Sequence, residues 1–262
     1  MSTPRNATII PYLKTIWILQ NEEMARVGVT ILSERLSKAT ATVSQTVRTL
    51  ADARLIHHEP YGPIELTLKG EQLALKVIRN DRVARAFLYR VLDYPWPDVA
   101  REANTLMLVL HDDLANRLHQ VSGSPLTDPY GNPIPGTKGE PNARKGRPLG
   151  DQPRGVELEI LRVSDTDQAL LDRFDVLGLT PGQLVRIEHM DHTTGVIYGT
   201  CNNTALTIGV QAASRVLTAR SDGKEHPKPT QSSSSTQTAS VAARPSVSRP
   251  DRPSTRTSVT SE

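Results

Sequence analysis

The chain has 262 residues, of which 37% are hydrophobic and 4% aromatic, with a net charge of +3 and an isoelectric point near 9.1. That length suggests one large or two small domains with appendages, and the apolar content supports a core over part of the chain only. No apolar run approaches the roughly 18–20 residues a membrane helix needs, Pro11 and Lys14 interrupt any signal-like stretch, and the single cysteine, Cys201, excludes an internal disulfide or a cysteine-rich zinc site.

Helical periodicity is dense from Ile9 to Val121. Pro11 suits the first turn of a helix, where its missing N–H costs little, and Tyr12, Leu13, Ile16 and Leu19 follow at core-facing spacing. A second, short helix is predicted over residues 30–36 and a third over residues 41–53. Residues 55–58 and 64–68 read as short strands, with the turn at Tyr61-Gly62-Pro63. Gly70 starts a long amphipathic helix whose apolar side carries Leu73, Val77, Ala84, Phe87, Leu88 and Val91. Pro97 and Asp98 open another helix through Leu110, and Asp112 and Asp113 open one through Val121. The following zone is rich in Pro, Gly and charge. Its residues 137–154, with Lys138, Arg144, Lys145, Arg147 and Arg154, read as a flexible linker.

From Val156 to Ala219 the pattern alternates as in strands. Val156, Leu158, Ile160 and Val163 form one strand, and Leu170, Leu171, Phe174, Leu177 and Leu179 a short helix that ends at the Thr180-Pro181-Gly182 turn. Further strands are predicted at residues 184–187, 196–198 and 205–208, with a helical turn at 210–214. From Ser221 onward Ser, Thr, Pro and Arg dominate, and such a segment buries too little apolar surface to order itself. A second reading of this tail is an electrostatic arm through Lys224, Lys228, Arg244, Arg249, Arg252 and Arg256.

Three helices followed by a two-stranded hairpin is the order of a winged helix-turn-helix. At about 100° per residue, Val43, Val47 and Leu50 fall on one arc of the third helix and face the core. Ala41, Gln45, Arg48 and Thr49 lie on the opposite arc, with Thr42 and Ser44 flanking it near the helix start. This is the chemistry of major-groove reading: Gln pairs bidentately with adenine, Arg with guanine, and Thr or Ala touches a thymine methyl. Hydroxyls and unpaired N–H groups at the helix start hold a phosphate. These six residues are the candidate DNA-binding set.

Several segments resemble the diphtheria toxin repressor and manganese transport regulator family, also called iron-dependent repressors. They are Tyr12-Leu13-Lys14-Thr15-Ile16, Leu32-Ser33-Glu34-Arg35-Leu36, Thr42-Val43-Ser44-Gln45-Thr46-Val47, Leu66-Thr67-Leu68-Lys69-Gly70 and Gly131-Asn132-Pro133-Ile134-Pro135-Gly136. The resemblance covers residues 9–136, and the later strands look like the SH3-like domain of longer members, a small barrel also found in ferrous-iron transport accessory proteins. It implies a homodimer on palindromic operators that represses metal-uptake genes when loaded with Fe(II) or Mn(II), and the single cysteine fits a reducing cytoplasm. The helices from Gly70 to Val121 would carry the dimer interface and the metal-binding region, and the barrel would bind a protein partner or its own chain.

The family's metal site takes a Met or Asp on the first helix, a His on the long helix, and a Cys or Glu followed by Glu-His on the next. The positions that align with these are Pro11, Asp81, Asn104, Met107 and Leu108, and they do not match the ligand pattern. Proline and leucine cannot ligate, and Asn and Met are weak ligands for hard divalent ions. With Leu106, Val109 and Leu110 alongside, a filled apolar interior is expected there, and operator binding without Fe(II) or Mn(II). Asp165, Asp167 and Gln168, candidates for a second metal position lent by the C-terminal domain, read as a solvated loop. His57 and His58, then His111, Asp112, Asp113 and His119, then His189, Asp191 and His192 read as surface groups.

The expected organisation is a mainly α N-terminal winged helix-turn-helix over 1–70, a helical dimerisation domain over 71–136, the linker over 137–154, a small all-β SH3-like barrel over 155–219 and a disordered tail over 220–262. The expected function is a non-enzymatic, sequence-specific transcriptional regulator with metal dependence lost or altered; no metal or cofactor is assigned beyond the Fe(II) or Mn(II) of the resemblance. The alternatives are a true Fe(II)- or Mn(II)-dependent repressor with shifted ligands, and an adaptor that works through the SH3-like domain. There is no Gly-rich phosphate loop and no nucleophile–base spacing.

Overall fold

The computed structural model describes residues 6–59, 62–136 and 144–221. The chain opens with α1 (Asn6–Asn21), α2 (Val29–Leu36) and α3 (Thr40–Asp52), followed by the antiparallel hairpin β1 (Ile56–His58) and β2 (Ile64–Leu66). Pro11 lies inside α1, not in its first turn as expected. The missing i→i−4 hydrogen bond is tolerated because Tyr12, Leu13, Ile16 and Leu19 beside it are buried. These side chains pack with Leu32, Val43, Val47, Leu50, Ile56 and Ile64 into one interior. The hairpin is tied back to the helices where Ile64 N–H donates to the Val27 carbonyl at 3.0 Å.

The long helix α4 (Leu68–Arg90) starts on Thr67, whose hydroxyl accepts from Gly70 N–H at 3.0 Å and donates to the Arg54 carbonyl at 2.8 Å. Its first half, through Ala74 and Ile78, belongs to the winged-helix interior, and its second half, through Ala84 and Leu88, to the other main interior. Two helices pack along it, α5 (Val99–Leu106) and α6 (Asp112–Val121). The single helix expected through Leu110 stops at Leu106, and Val109 is 70% exposed. The segment is therefore not the continuous core that its apolar run implied.

The C-terminal part comprises β3 (Arg147–Pro148), β4 (Glu157–Val163), α7 (Gln168–Val176), β5 (Leu184–Asp191), β6 (Val196–Cys201), β7 (Thr204–Gly209), α8 (Val210–Ala213) and β8 (Val216–Arg220). The strands form one antiparallel sheet in the order β3-β8-β4-β5-β6-β7. The expected SH3-like barrel is corrected here: among the described residues no pairing joins β7 to β3, and the sheet stays open. Closure needs a continuous ladder around the ring. The edge strand β3 has only two residues, and Pro148 has no N–H to offer a neighbour.

Of the segment read as a linker, 137–143 lies outside the described residues, as does the tail from 222 with its basic residues. Arg147 and Pro148 pair with β8, and Leu149 is fully buried. Leu149, Leu158, Ile160, Phe174 and Val216 share one interior with Ala84, Leu88, Trp96, Val99 and Ala103.

Candidate functional site

In α3 the sequence pattern becomes two opposed faces. Val43, Val47 and Leu50 are buried, and Thr46 turns inward with its hydroxyl donating to the Thr42 carbonyl at 3.0 Å. Ala41, Thr42, Gln45, Arg48 and Thr49 are exposed, and Ser44 is half-buried. The turn before α3 is fixed by Ser37 in the left-handed region and by Ser33, whose hydroxyl donates to the Lys38 carbonyl at 2.6 Å. Ala39 leaves the start of α3 without a side-chain cap, so its first N–H groups remain open to an anion. Neither the Gln45 nor the Arg48 side chain has a polar partner among the described residues. The beginning of the hairpin turn, Tyr61, lies outside the described residues.

The five positions aligned with the family's metal ligands do not make a ligand set. Pro11 is inside α1, Met107 is buried without a polar partner, and Leu108 is partly exposed. Asp81 and Asn104 do come together, through Lys14, a residue not among the aligned ligand positions. The buried Lys14 on α1 places its Nζ 2.8 Å from Asp81 Oδ1 and 2.9 Å from Asn104 Oδ1. The expected apolar filling is thus corrected to an ionic one. A charge inside the apolar run Tyr12-Leu13-Lys14-Thr15-Ile16-Trp17 was the available signal, since an unpaired lysine is rarely buried.

The ion network extends further. Arg85, one turn along α4, pairs through Nη2 with Asp81 Oδ2 at 2.9 Å, and through Nη1 with Asp128 at 3.0 Å and Asp165 at 2.5 Å. Asp165 therefore does not sit in a solvated loop: it reaches from the end of β4 into the interior face of α4. Asp167 instead caps α7, accepting from Ala169 and Leu170 N–H, and Gln168 donates to the Pro97 carbonyl at 2.9 Å. Burial alone would disfavour the Arg85 cation, but Asp165, Asp81 and Asp128 outweigh it and hold its pKa well above the usual guanidinium value. Burial likewise works against the Asp165 carboxylate, yet Arg85 and Lys14 keep its pKa below the usual range. For Lys14 and Asp128 burial wins: the first has its pKa lowered despite Asp81, and the second has it raised despite Arg85.

A second bridge runs beside the first. Glu22, just past α1, pairs with Arg82 of α4 and lies 3.5 Å from Arg162 of β4. The other Arg82 nitrogen donates to the Pro133 carbonyl at 2.6 Å. This accounts for the Gly131–Gly136 motif. Asp128 Oδ1 accepts from Tyr130 and Asn132 N–H, both at 2.9 Å, and so aims its other oxygen at Arg85. Pro133 and Pro135 offer carbonyls to Arg82 and Arg79. Gly131 lets the loop lie against β4, because a Cβ there would stand 1.9 Å from the Leu161 carbonyl oxygen.

The histidine clusters have local duties. His111 caps α6 by accepting from Leu114 N–H at 3.3 Å, Asp112 pairs with Lys76, and Asp113 with Arg117. His119 contacts the Pro125 carbonyl, His189 stacks on Tyr198, and His192 lies 3.2 Å from Arg154. Asp191 accepts from Thr193 and Thr194 in its own turn, and His57 and His58 lie in β1. Among the described residues no group of three or more His, Cys, Asp or Glu could hold a metal ion.

Three family models match the chain in order. They are the iron dependent repressor N-terminal DNA binding domain over residues 7–64, the iron dependent repressor metal binding and dimerisation domain over 67–136, and the FeoA domain over 147–220. The iron-dependent repressor IdeR of Mycobacterium tuberculosis is 33% identical over 189 residues, which is 68% of this chain and 82% of that protein. The diphtheria toxin repressor of Corynebacterium glutamicum is 32% identical over 175 residues, covering 63% and 75%. A solved manganese-dependent transcriptional repressor in complex with manganese matches with a TM-score of 0.76 at 29% identity, over 81% of this chain and 99% of that one. With the DNA binding domain, the metal binding and dimerisation domain and the FeoA domain matched in this order, the chain belongs to the iron-dependent repressor family of DNA-binding, dimerising transcriptional regulators.

Proposed function

We propose that the chain binds a palindromic operator as a homodimer, reads it through Ala41, Thr42, Ser44, Gln45, Arg48 and Thr49 of α3, and requires no divalent ion to do so. The observation that carries this reading is the polar face of α3, open to solvent and opposite the buried stripe of Val43, Val47 and Leu50. Gln45 and Arg48 supply bidentate pairing to bases, and the uncapped start of α3 supplies the phosphate contact. Tyr89, Val91, Leu92 and Tyr94, all exposed around the end of α4, offer apolar surface for the partner copy. Two-fold symmetry then places half-sites about 34 Å apart or a multiple of it. We keep the division into a DNA-binding part, a dimerisation part and a C-terminal part near residues 70 and 155. The sheet takes its own chain as partner, supported by the interior it shares with α4 and α5.

The test is selection of bound genomic fragments, followed by titration of the recovered operator. Gln45→Ala and Arg48→Ala should each cost about 1–3 kcal/mol at one base pair and relax preference there. Unchanged affinity and preference in both variants would remove α3 from the readout.

A further inference from the structure

We propose that Lys14 and Arg85 are resident cations that replace the metal ion of the iron- or manganese-dependent relatives, holding the DNA-reading domain on the dimerisation helices at all times. The inference rests on α3 being the reading helix and adds how that helix is kept in place.

Asp81 is the hinge of the arrangement. One carboxylate oxygen faces Lys14 Nζ at 2.8 Å and the other faces Arg85 Nη2 at 2.9 Å. The Lys14 side ties α1 of the winged helix to α4 and, through Asn104, to α5. The Arg85 side ties α4 to the Asp128 loop and to Asp165 at the end of β4. Two positive side chains thus sit among three carboxylates and join the reading domain, the dimerisation helices and the C-terminal sheet.

This is the work a bound divalent cation performs when it gathers ligands from separate elements. The contacts here are ion pairs between side-chain nitrogens and carboxylate oxygens at 2.5–3.0 Å, with positive groups at the centre where a ligand cage would present only oxygens. A divalent ion entering would meet two fixed positive charges, and its ligands are already engaged. A free ligand stabilises a fold by an amount that grows with the logarithm of its concentration over its dissociation constant. A cation carried on the chain has no such dependence, so the clamp is indifferent to metal supply.

The experiment uses the full chain and the operator recovered above. In chelator and in excess Mn(II), wild-type affinity should agree within about twofold, and its thermal midpoint should not move. Lys14→Met should weaken operator binding in chelator by about tenfold or more, a size typical of coupling between sites. Asn104→Ala, which frees Lys14 from α5 without stranding a buried charge, should fold and weaken binding by about threefold or more. Arg85→Ala leaves Asp81, Asp128 and Asp165 around a void. Its lowered midpoint should recover in part with Mn(II), and Arg85→Lys should sit between it and wild type. A wild type that needs Mn(II) for the operator, or wild-type affinity in both Lys14→Met and Asn104→Ala, overturns the proposal. If the wild type selects no DNA in either buffer, the reading of α3 fails instead. The midpoints then decide the cations: recovery of Arg85→Ala by Mn(II) supports them, and its absence overturns them.

Discussion

Gly131→Ala probes how the C-terminal sheet is seated on the loop that aims Asp128. Gly131 has φ +85°, a conformation that costs a residue with a Cβ about 1–2 kcal/mol. The added methyl would also stand 1.9 Å from the Leu161 carbonyl oxygen and 2.9 Å from Arg162 Cα. Restoring an ordinary C–H···O approach of about 3.3 Å requires the loop to withdraw by roughly 1.4 Å. The neighbouring hydrogen bond from Val163 N–H to the Tyr130 carbonyl, now 2.9 Å, would then break, at about 0.5–1.5 kcal/mol. We expect a loss of about 3 kcal/mol, read as a fall of roughly 6–12 °C in the thermal midpoint. Gly123→Ala is the internal control: its φ is +83°, but a Cβ there meets nothing within 4 Å. It should lose only the backbone share, about 1–2 kcal/mol. Equal losses in the two variants would show that close approach to β4 contributes nothing.

Tyr130→Phe deletes a buried hydroxyl that accepts from Ala100 N–H and donates to the Trp96 carbonyl, both at 2.9 Å. Leaving both backbone groups unpaired should cost about 1–3 kcal/mol in urea unfolding, and a cost below the error of the fit would count against the bridge. Cys201 should resist thiol reagents at pH 8 until the protein unfolds. Its pKa is pushed up to about 11 by burial, and its Sγ lies 3.3 Å from the Gly178 carbonyl; rapid native-state labelling would contradict this. Asp165 has a folded pKa below the unfolded value of about 3.9. Its contribution is therefore present above about pH 4 and is lost as pH falls through the folded value. Asp128, with its pKa raised, contributes with the opposite sign. Asp165→Asn should flatten the acid limb of the midpoint–pH curve, and an unchanged limb would refute the assignment.

The exposed polar face of α3 was legible because it depends on one local period. Val43, Val47 and Leu50 recur at helical spacing, and the side opposite them is small and polar. The clamp was not legible in the same way. Lys14 and Asp81 are far apart in sequence, and so are Arg85 and Asp165, and no period links them. What could be seen was a lysine amid apolar neighbours on α1, and Asp81, Arg82 and Arg85 on the inward side of α4. Read together, these charges would have had to pair with something. The open sheet was missed for a different reason: alternation counts strands, but says nothing of whether the first and last of them meet. That turned on Pro148 and on the shortness of β3.

The path of α4 has a mechanical consequence. Its first half packs into the winged-helix interior through Ala74 and Ile78 and its second half into the other main interior through Ala84 and Leu88, so both halves are anchored. The rod has 23 residues, so at about 1.5 Å per residue it spans roughly 35 Å. In a symmetric pair, the distance between the two α3 helices is then set by the stiffness of two such beams. Between these two anchorages Asp81 and Arg82 are themselves buried and ion-paired, so sliding one domain over another would tear a packed interior and break those pairs, and the spacing between the two copies is held stiffly.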